Sequence, residues 1–303
     1  MKSKFLFIIK KFLVFSFLII FFSTVLFANN PTKTNPIRIV TSFSIIEYFV
    51  KKITESASVQ INSIVPLESD PHTYQPTPRD SEILSKADLI FINGLDFEKG
   101  VEKMARSCGT EQKIYTVSKG IKGRQDVMDP HLWHDIDHAK AYISNITHFL
   151  SCFDPKNSRL YHKNKEKFLK DLDALKAEII NMLAHIPFKQ RLVVTTHDAF
   201  WYFGKAYDIQ FFAPVGISTE EEASAQNIAK LIDLIKEKNI KVVFFESLSN
   251  PKLLRQMALE TGASIGGVLY ADSLSKSDGP ADTYESMMRY NVLTLLQAFR
   301  GNS

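Results

Sequence analysis

Apolar residues recur at Phe168, Leu172, Leu175, Ile179, Met182 and Ile186, with charged side chains filling the positions between them. Steps of three and four put such residues on one stripe of an α-helix. Asp154-Pro155 reads as the start: a carboxylate able to cap exposed N–H groups, then proline at the first helical position. No glycine or proline interrupts before Pro187. About 32 residues at ~1.5 Å each give a rod on the order of 48 Å, as long as a whole domain. It is too charged to span a membrane and too isolated for a coiled coil. Residues 154–187 are therefore expected to form a spine joining two lobes.

On either side, short apolar runs alternate with amphipathic stretches. Strands are expected at 37–40, 59–65, 89–92 and 113–117, with helices at 45–55, from 79, 98–106 and 135–149. After the spine the rhythm resumes, with strands at 192–196, 209–213, 241–245 and 263–268. Helices are expected there at 199–206, 223–238, 251–261 and 281–299. The strands are near-continuous apolar runs, as in parallel sheets covered on both faces. The predicted class is α/β, two lobes (29–153 and 188–303) each with a parallel sheet covered by helices, joined by one long linker helix. Ligands of such sheets bind outside the carboxyl ends of the strands.

The opening of the chain belongs to neither lobe. Lys2, Lys4, Lys10 and Lys11 precede or border the apolar run Phe12 to Phe22, and a small residue, Ala28, follows. Residues 1–28 read as a secretory signal peptide, so the mature chain is expected in a periplasmic space. The 37 basic residues include those four lysines, so the remainder carries 33 bases against 33 acids. The basic balance thus lies in the leader, and nothing argues for nucleic acid as a partner. No cysteine stands near Ala28 to carry a lipid. The two cysteines, Cys108 and Cys152, either pair across one lobe or stay as free thiols.

Candidate chemistry sits just after the strands. Asp70-Pro71-His72 and Asp129-Pro130-His131 are one tripeptide used twice. Proline stiffens the backbone ahead of each histidine, which a metal site needs because ordering a loose loop costs about 1–2 kcal/mol per residue. His197 ends a run of β-formers and opens a helix with Phe200-Trp201-Tyr202-Phe203, aromatics that could wall it from water. Asp272 lies in the loop after the last strand, where an aspartate is often only a turn former. Three imidazoles and a carboxylate suit a first-row divalent ion. Glu246 could support or replace a ligand, or cap the helix after it. His134, His138, His148, His162 and His185 fall among polar helical positions and are expected at the surface.

Several of these segments together carry a resemblance. Asp70-Pro71-His72-Thr73-Tyr74-Gln75-Pro76, Asp129-Pro130-His131-Leu132-Trp133, His197-Asp198-Ala199-Phe200-Trp201-Tyr202-Phe203, Gly216-Ile217-Ser218-Thr219 and Tyr270-Ala271-Asp272-Ser273 occur in that order around the long helix. They resemble the zinc- and manganese-type (cluster A-I) solute-binding proteins of bacterial metal ABC transporters, over residues 37 to 300. The resemblance implies metal ligation by His72, His131, His197 and Asp272, a rigid linker helix, and no enzymatic activity. It also implies a monomeric carrier that delivers a transported divalent ion to an inner-membrane ABC permease with its cytoplasmic ATPase. The expected cargo is Zn2+ or Mn2+, with Fe2+ behind them. Two features place the chain between metal types: residues 107–128 hold no histidine, where zinc members often carry a histidine-rich loop, and His197 stands where some manganese members have glutamate. The alternatives are a metal-stabilised adhesion or scaffold protein, which would unfold when stripped, and a zinc hydrolase, which would need an open coordination position and a base beside it.

Overall fold

The computed structural model describes residues 35–301. The expected leader, residues 1–28, lies outside them. The first half contains β1 (Ile37–Thr41), α1 (Ser44–Ile53), β2 (Val59–Ser63), α2 (Pro78–Lys86), β3 (Leu89–Ile92), α3 (Lys99–Ser107), β4 (Ile114–Thr116) and α4 (Ile136–Phe153). A long helix, α5 (Ser158–Leu183), follows. The second half contains β5 (Leu192–Val194), α6 (Trp201–Tyr207), β6 (Gln210–Phe212), α7 (Ala225–Glu237), β7 (Val242–Glu246), α8 (Lys252–Thr261), β8 (Ser264–Leu269) and α9 (Tyr284–Gly301).

The strands form two four-stranded sheets, ordered β2-β1-β3-β4 and β6-β5-β7-β8, with every pairing parallel. In each, the chain moves outward from an inner strand and then returns to build the other side. A switch point therefore opens at the carboxyl ends of β1 and β3, and another at those of β5 and β7. His197 follows β5, and Glu246 closes β7.

The helix α5 is shorter than expected, and its ends show why. Pro155–Asn157 form a separate 3-10 turn. The Asp154 carboxylate does not cap backbone amides; it accepts from Asn157 Nδ2 at 2.7 Å and Tyr161 Oη at 2.8 Å. At the other end Arg191 donates to the carbonyls of Leu183, Ile186 and Tyr207, satisfying groups that the last turn leaves open. Between these ends α5 buries Tyr161, Phe168, Leu172, Leu175, Ile179 and Leu183. That stripe packs on α1 and α4 of the first half and on α9 of the second. Phe168 meets the rings of Tyr48 and Phe49. One hydrophobic core runs continuously from the first sheet past α5 to α9, and a second, smaller one fills the outer layer between the second sheet and α7 and α8.

Two loop geometries prepare the functional end. Strand β3 turns at Gly94, with φ +80°, where an added Cβ would lie 2.5 Å from Thr116 Cγ2. The Asn93 amide then donates to the carbonyls of Gly94 and Pro130, both at 3.1 Å, and accepts from Tyr142 Oη. This ties the strand end to the loop carrying His131. Gly100 in α3 touches the loop carrying His72, since a Cβ there would lie 2.5 Å from the Tyr74 carbonyl oxygen. The substitution Gly100→Ala should force that loop away and destabilise the fold by about 1–3 kcal/mol, as overpacking does, measurable by urea unfolding.

Candidate metal centre

The structure brings His72, His131, His197 and Asp272 together, all buried, with one donor atom from each lying within 4.8 Å of the others. They arrive from four loops: after β2, after β4, after β5 and after β8. His131 Nε2 is 3.3 Å from His72 Nε2, 3.4 Å from His197 Nε2 and 3.4 Å from Asp272 Oδ1. His197 Nε2 is 3.4 Å from Asp272 Oδ2. Bonds of about 2.0–2.1 Å to a central ion put the edges of a tetrahedron at roughly 3.3–3.4 Å. The three separations from His131 Nε2 match such edges, and the whole set lies within 4.8 Å.

Two imidazoles are held from behind by carboxylates. Asp129 Oδ1 accepts from the His131 backbone N–H at 3.0 Å and lies 2.9 Å from Nδ1. Glu246 Oε1 accepts the backbone N–H groups of Thr196 and His197 at 2.8 and 3.0 Å, while its Oε2 meets His197 Nδ1. A proton on each Nδ1 leaves Nε2 to face the cluster as a lone-pair donor. The same contacts explain why the ladder ends at Thr195, whose amide still donates to the Phe212 carbonyl: the amides of Thr196 and His197 turn to Glu246 instead. His72 differs. Its backbone N–H donates to Asp70 Oδ1 at 2.9 Å, but its buried Nδ1 has no partner.

The aromatic wall is not the one expected. Phe200 packs 4.6 Å from His134 and stacks on Phe211. The rings against the cluster come from the first half: Phe97, 4.7 Å from His72 and 5.8 Å from His131, and Trp133, 5.3 Å from His131. Trp133 also donates from Nε1 to the Ala271 carbonyl at 3.0 Å, fixing the loop that presents Asp272. Phe97 carried no periodicity or motif that would have singled it out. His134 is a second correction: far from being at the surface it is fully buried, because the 3-10 turn at Leu132–His134 folds it under Phe200. Cys108 and Cys152 are both free, and Cys108 lies 3.2 Å from Ser81 Oγ.

Burial sets the electrostatics. It drives His72 down to about 2, helped by the neighbouring His131, His197 and Lys99. Burial likewise holds His131 and His134 well below the ordinary histidine range. Burial also opposes a charged His197, but Glu246 and Asp272 outweigh it and raise this imidazole above the ordinary histidine range. Desolvation raises Asp272.

A family model described as ZnuA, zinc-uptake complex component A, periplasmic, matches residues 39–298. The chain belongs to this family. The iron-binding protein YfeA of Yersinia pestis is 35% identical over 279 residues, covering 89% of each chain. The manganese-binding lipoprotein MntA of Halalkalibacterium halodurans is 31% identical over 264 residues, covering 86% of this chain and 87% of its own. The periplasmic zinc-binding protein TroA from Treponema pallidum superimposes with a TM-score of 0.81 at 27% identity, over 88% of this chain and 99% of TroA.

For this ZnuA-family chain the buried histidines make a stability prediction that needs no metal. His72, His131 and His134 resist protonation when folded, whereas the unfolded chain protonates them near 6.5. Their contribution is fully present above 6.5 and is lost as pH falls from there toward about 2, the His72 value. Asp272, Glu98 and Asp129, which burial raises to about 8, 7 and 6, work in the opposite sense and offset the histidines over the same range. Thermal unfolding of metal-stripped protein should therefore show little net change in Tm between about pH 6.5 and 5.

Proposed function

We propose that this chain captures a divalent transition metal ion between its two lobes and hands it to a membrane permease, with His72, His131, His197 and Asp272 as the ligands. The observation that carries this reading is the convergence of four buried donors from four separate loops, three of them within 3.4 Å of the His131 nitrogen. Family membership supports it, and the relatives named above are binders of iron, manganese and zinc. The cargo is zinc or manganese, with iron behind them. A closed set of three nitrogens and one oxygen suits zinc. Manganese favours more oxygen donors, and Asp272 could supply a second, since one of its oxygens faces His131 and the other His197.

The site binds rather than catalyses. Four protein donors fill the coordination, and both oxygens of Glu246 are engaged on Thr196 and His197, which leaves no free base beside the ion. The lobes are residues 29–153 and 188–303. The 154–187 segment is a rigid linker that restricts opening to a small rotation, because α5 is packed against both halves at once. Export by residues 1–28 places the carrier in the periplasm, where it works as a monomer with an ABC permease and its cytoplasmic ATPase. Several relatives are named lipoproteins; the cysteines of this chain are Cys108 and Cys152, both inside the folded lobes.

Calorimetry on metal-stripped protein at neutral pH should show one Zn2+ or Mn2+ per chain, and the absence of binding would remove the proposal. His197 and Asp272 are both raised, so metal binding at neutral pH should release protons and the measured enthalpy should vary with the ionisation heat of the buffer. Affinity should rise with pH through neutrality rather than level off above the ordinary histidine range. The substitution His131→Ala should lower affinity by at least 100-fold, because that nitrogen shares an edge with each of the other three donors. The stripped protein should remain folded in a thermal melt, unlike a scaffold built around structural zinc.

A further inference from the structure

The repeated Asp-Pro-His tripeptide is used in two different ways. In the second copy Asp129 Oδ1 serves both the backbone N–H and Nδ1 of His131, locking the ring. In the first copy Asp70 Oδ1 serves the backbone N–H of His72 alone, and His72 Nδ1 is buried without a partner. The difference lies on the other oxygen. Asp70 Oδ2 accepts from Thr219 Oγ1 at 2.6 Å, across the cleft. Thr219 belongs to the Gly216–Thr219 motif, which supplies no ligand, and its segment is fixed beside His197: Asp198 N–H donates to the Gly216 carbonyl at 3.1 Å, and Val215 bridges to His197.

Resting on the metal-site reading, we propose that Thr219 is a positioning residue for metal release. By holding the Asp70 carboxylate it denies His72 the lock that His131 and His197 enjoy, so His72 is the last ligand to close and the first to let go. Within the cluster His72 Nε2 lies 3.3 Å from His131 Nε2, so what sets His72 apart is its unpartnered Nδ1 rather than its distance from the other donors. An imidazole whose Nδ1–H is bonded to a carboxylate is better oriented and more basic than one without, and loss of such a partner commonly changes metal affinity by about 10–100-fold. A carrier must surrender its ion, and one loosened ligand of four provides that without weakening the other three.

The test uses the full chain and Zn2+ alone, with dissociation followed by transfer to an excess of a chelating dye in stopped flow. In Thr219→Val the freed Asp70 carboxylate should turn to His72 Nδ1–H, slowing dissociation by about tenfold with little change in association. Thr219→Ser should restore the wild-type rate, and Asp70→Asn added to Thr219→Val should abolish the gain. In metal-free Thr219→Val a protected Nδ1–H resonance of His72 should appear downfield in the proton NMR spectrum. Dissociation that is unchanged or faster in Thr219→Val, with wild-type protein binding normally, would overturn the role of Thr219 alone. Failure of the wild-type chain to bind Zn2+ would overturn the metal-site reading and this inference with it.

Discussion

Everything in the cleft answers to one cost: three imidazoles and a carboxylate are removed from water and pointed at one another. Buried polar groups without partners are expensive, and clustered donors of like kind more so. The structure meets the cost partly from behind, with Asp129 and Glu246 accepting the outward N–H groups of His131 and His197. It meets it partly from within, where His197 is flanked by two carboxylates, Glu246 on Nδ1 and Asp272 on Nε2. Asp272 Oδ1 has no hydrogen-bond partner. A cation at the centre satisfies that oxygen and the inward lone pairs together, so the geometry and the energetics favour the same occupant.

Holding such a cluster requires that no loop relax away from it. The support comes from residues that touch no ion: Asn93 joining β3 to Pro130, Trp133 joining the first half to Ala271, and Tyr284 Oη donating to the Trp133 carbonyl at 2.6 Å. Arg124 adds a charged contact across the cleft, 2.8 Å from Asp198. Beneath them the shared hydrophobic core and α5 fix the two sheets with their carboxyl ends converging. These contacts hold the four loops in place through residues other than the proposed ligands.

The two sheets contribute unequally. His197 sits at the switch point of the second sheet and is gripped by the adjacent strand through Glu246, so its position is set by β5 and β7 together. His72 and His131 ride on longer loops whose stiffness comes from proline and from glycine-permitted close packing at Gly94 and Gly100. Of the four, only His197 is placed directly by its sheet; Asp272, like His72 and His131, is carried on a loop.

The primary structure alone determined much of this. Apolar runs and amphipathic stretches located all eight strands and the helices around them to within a few residues, because parallel strands buried on both faces leave an unbroken apolar signature. The two Asp-Pro-His tripeptides, His197 and Asp272 were legible as candidates, since each falls after a strand end. What only the tertiary structure decided was whether they meet, and how each is held. No spacing in the chain distinguishes Asp129, which locks its histidine, from Asp70, which turns to a threonine 149 positions away. Phe97 and the burial of His134 were equally invisible, and the helix start at Asp154 was misread, because a carboxylate offered both amides and a tyrosine hydroxyl chooses between them only in three dimensions. Local pattern follows from the nearest few residues; hydrogen-bond partners across a cleft depend on packing that brings distant loops into contact.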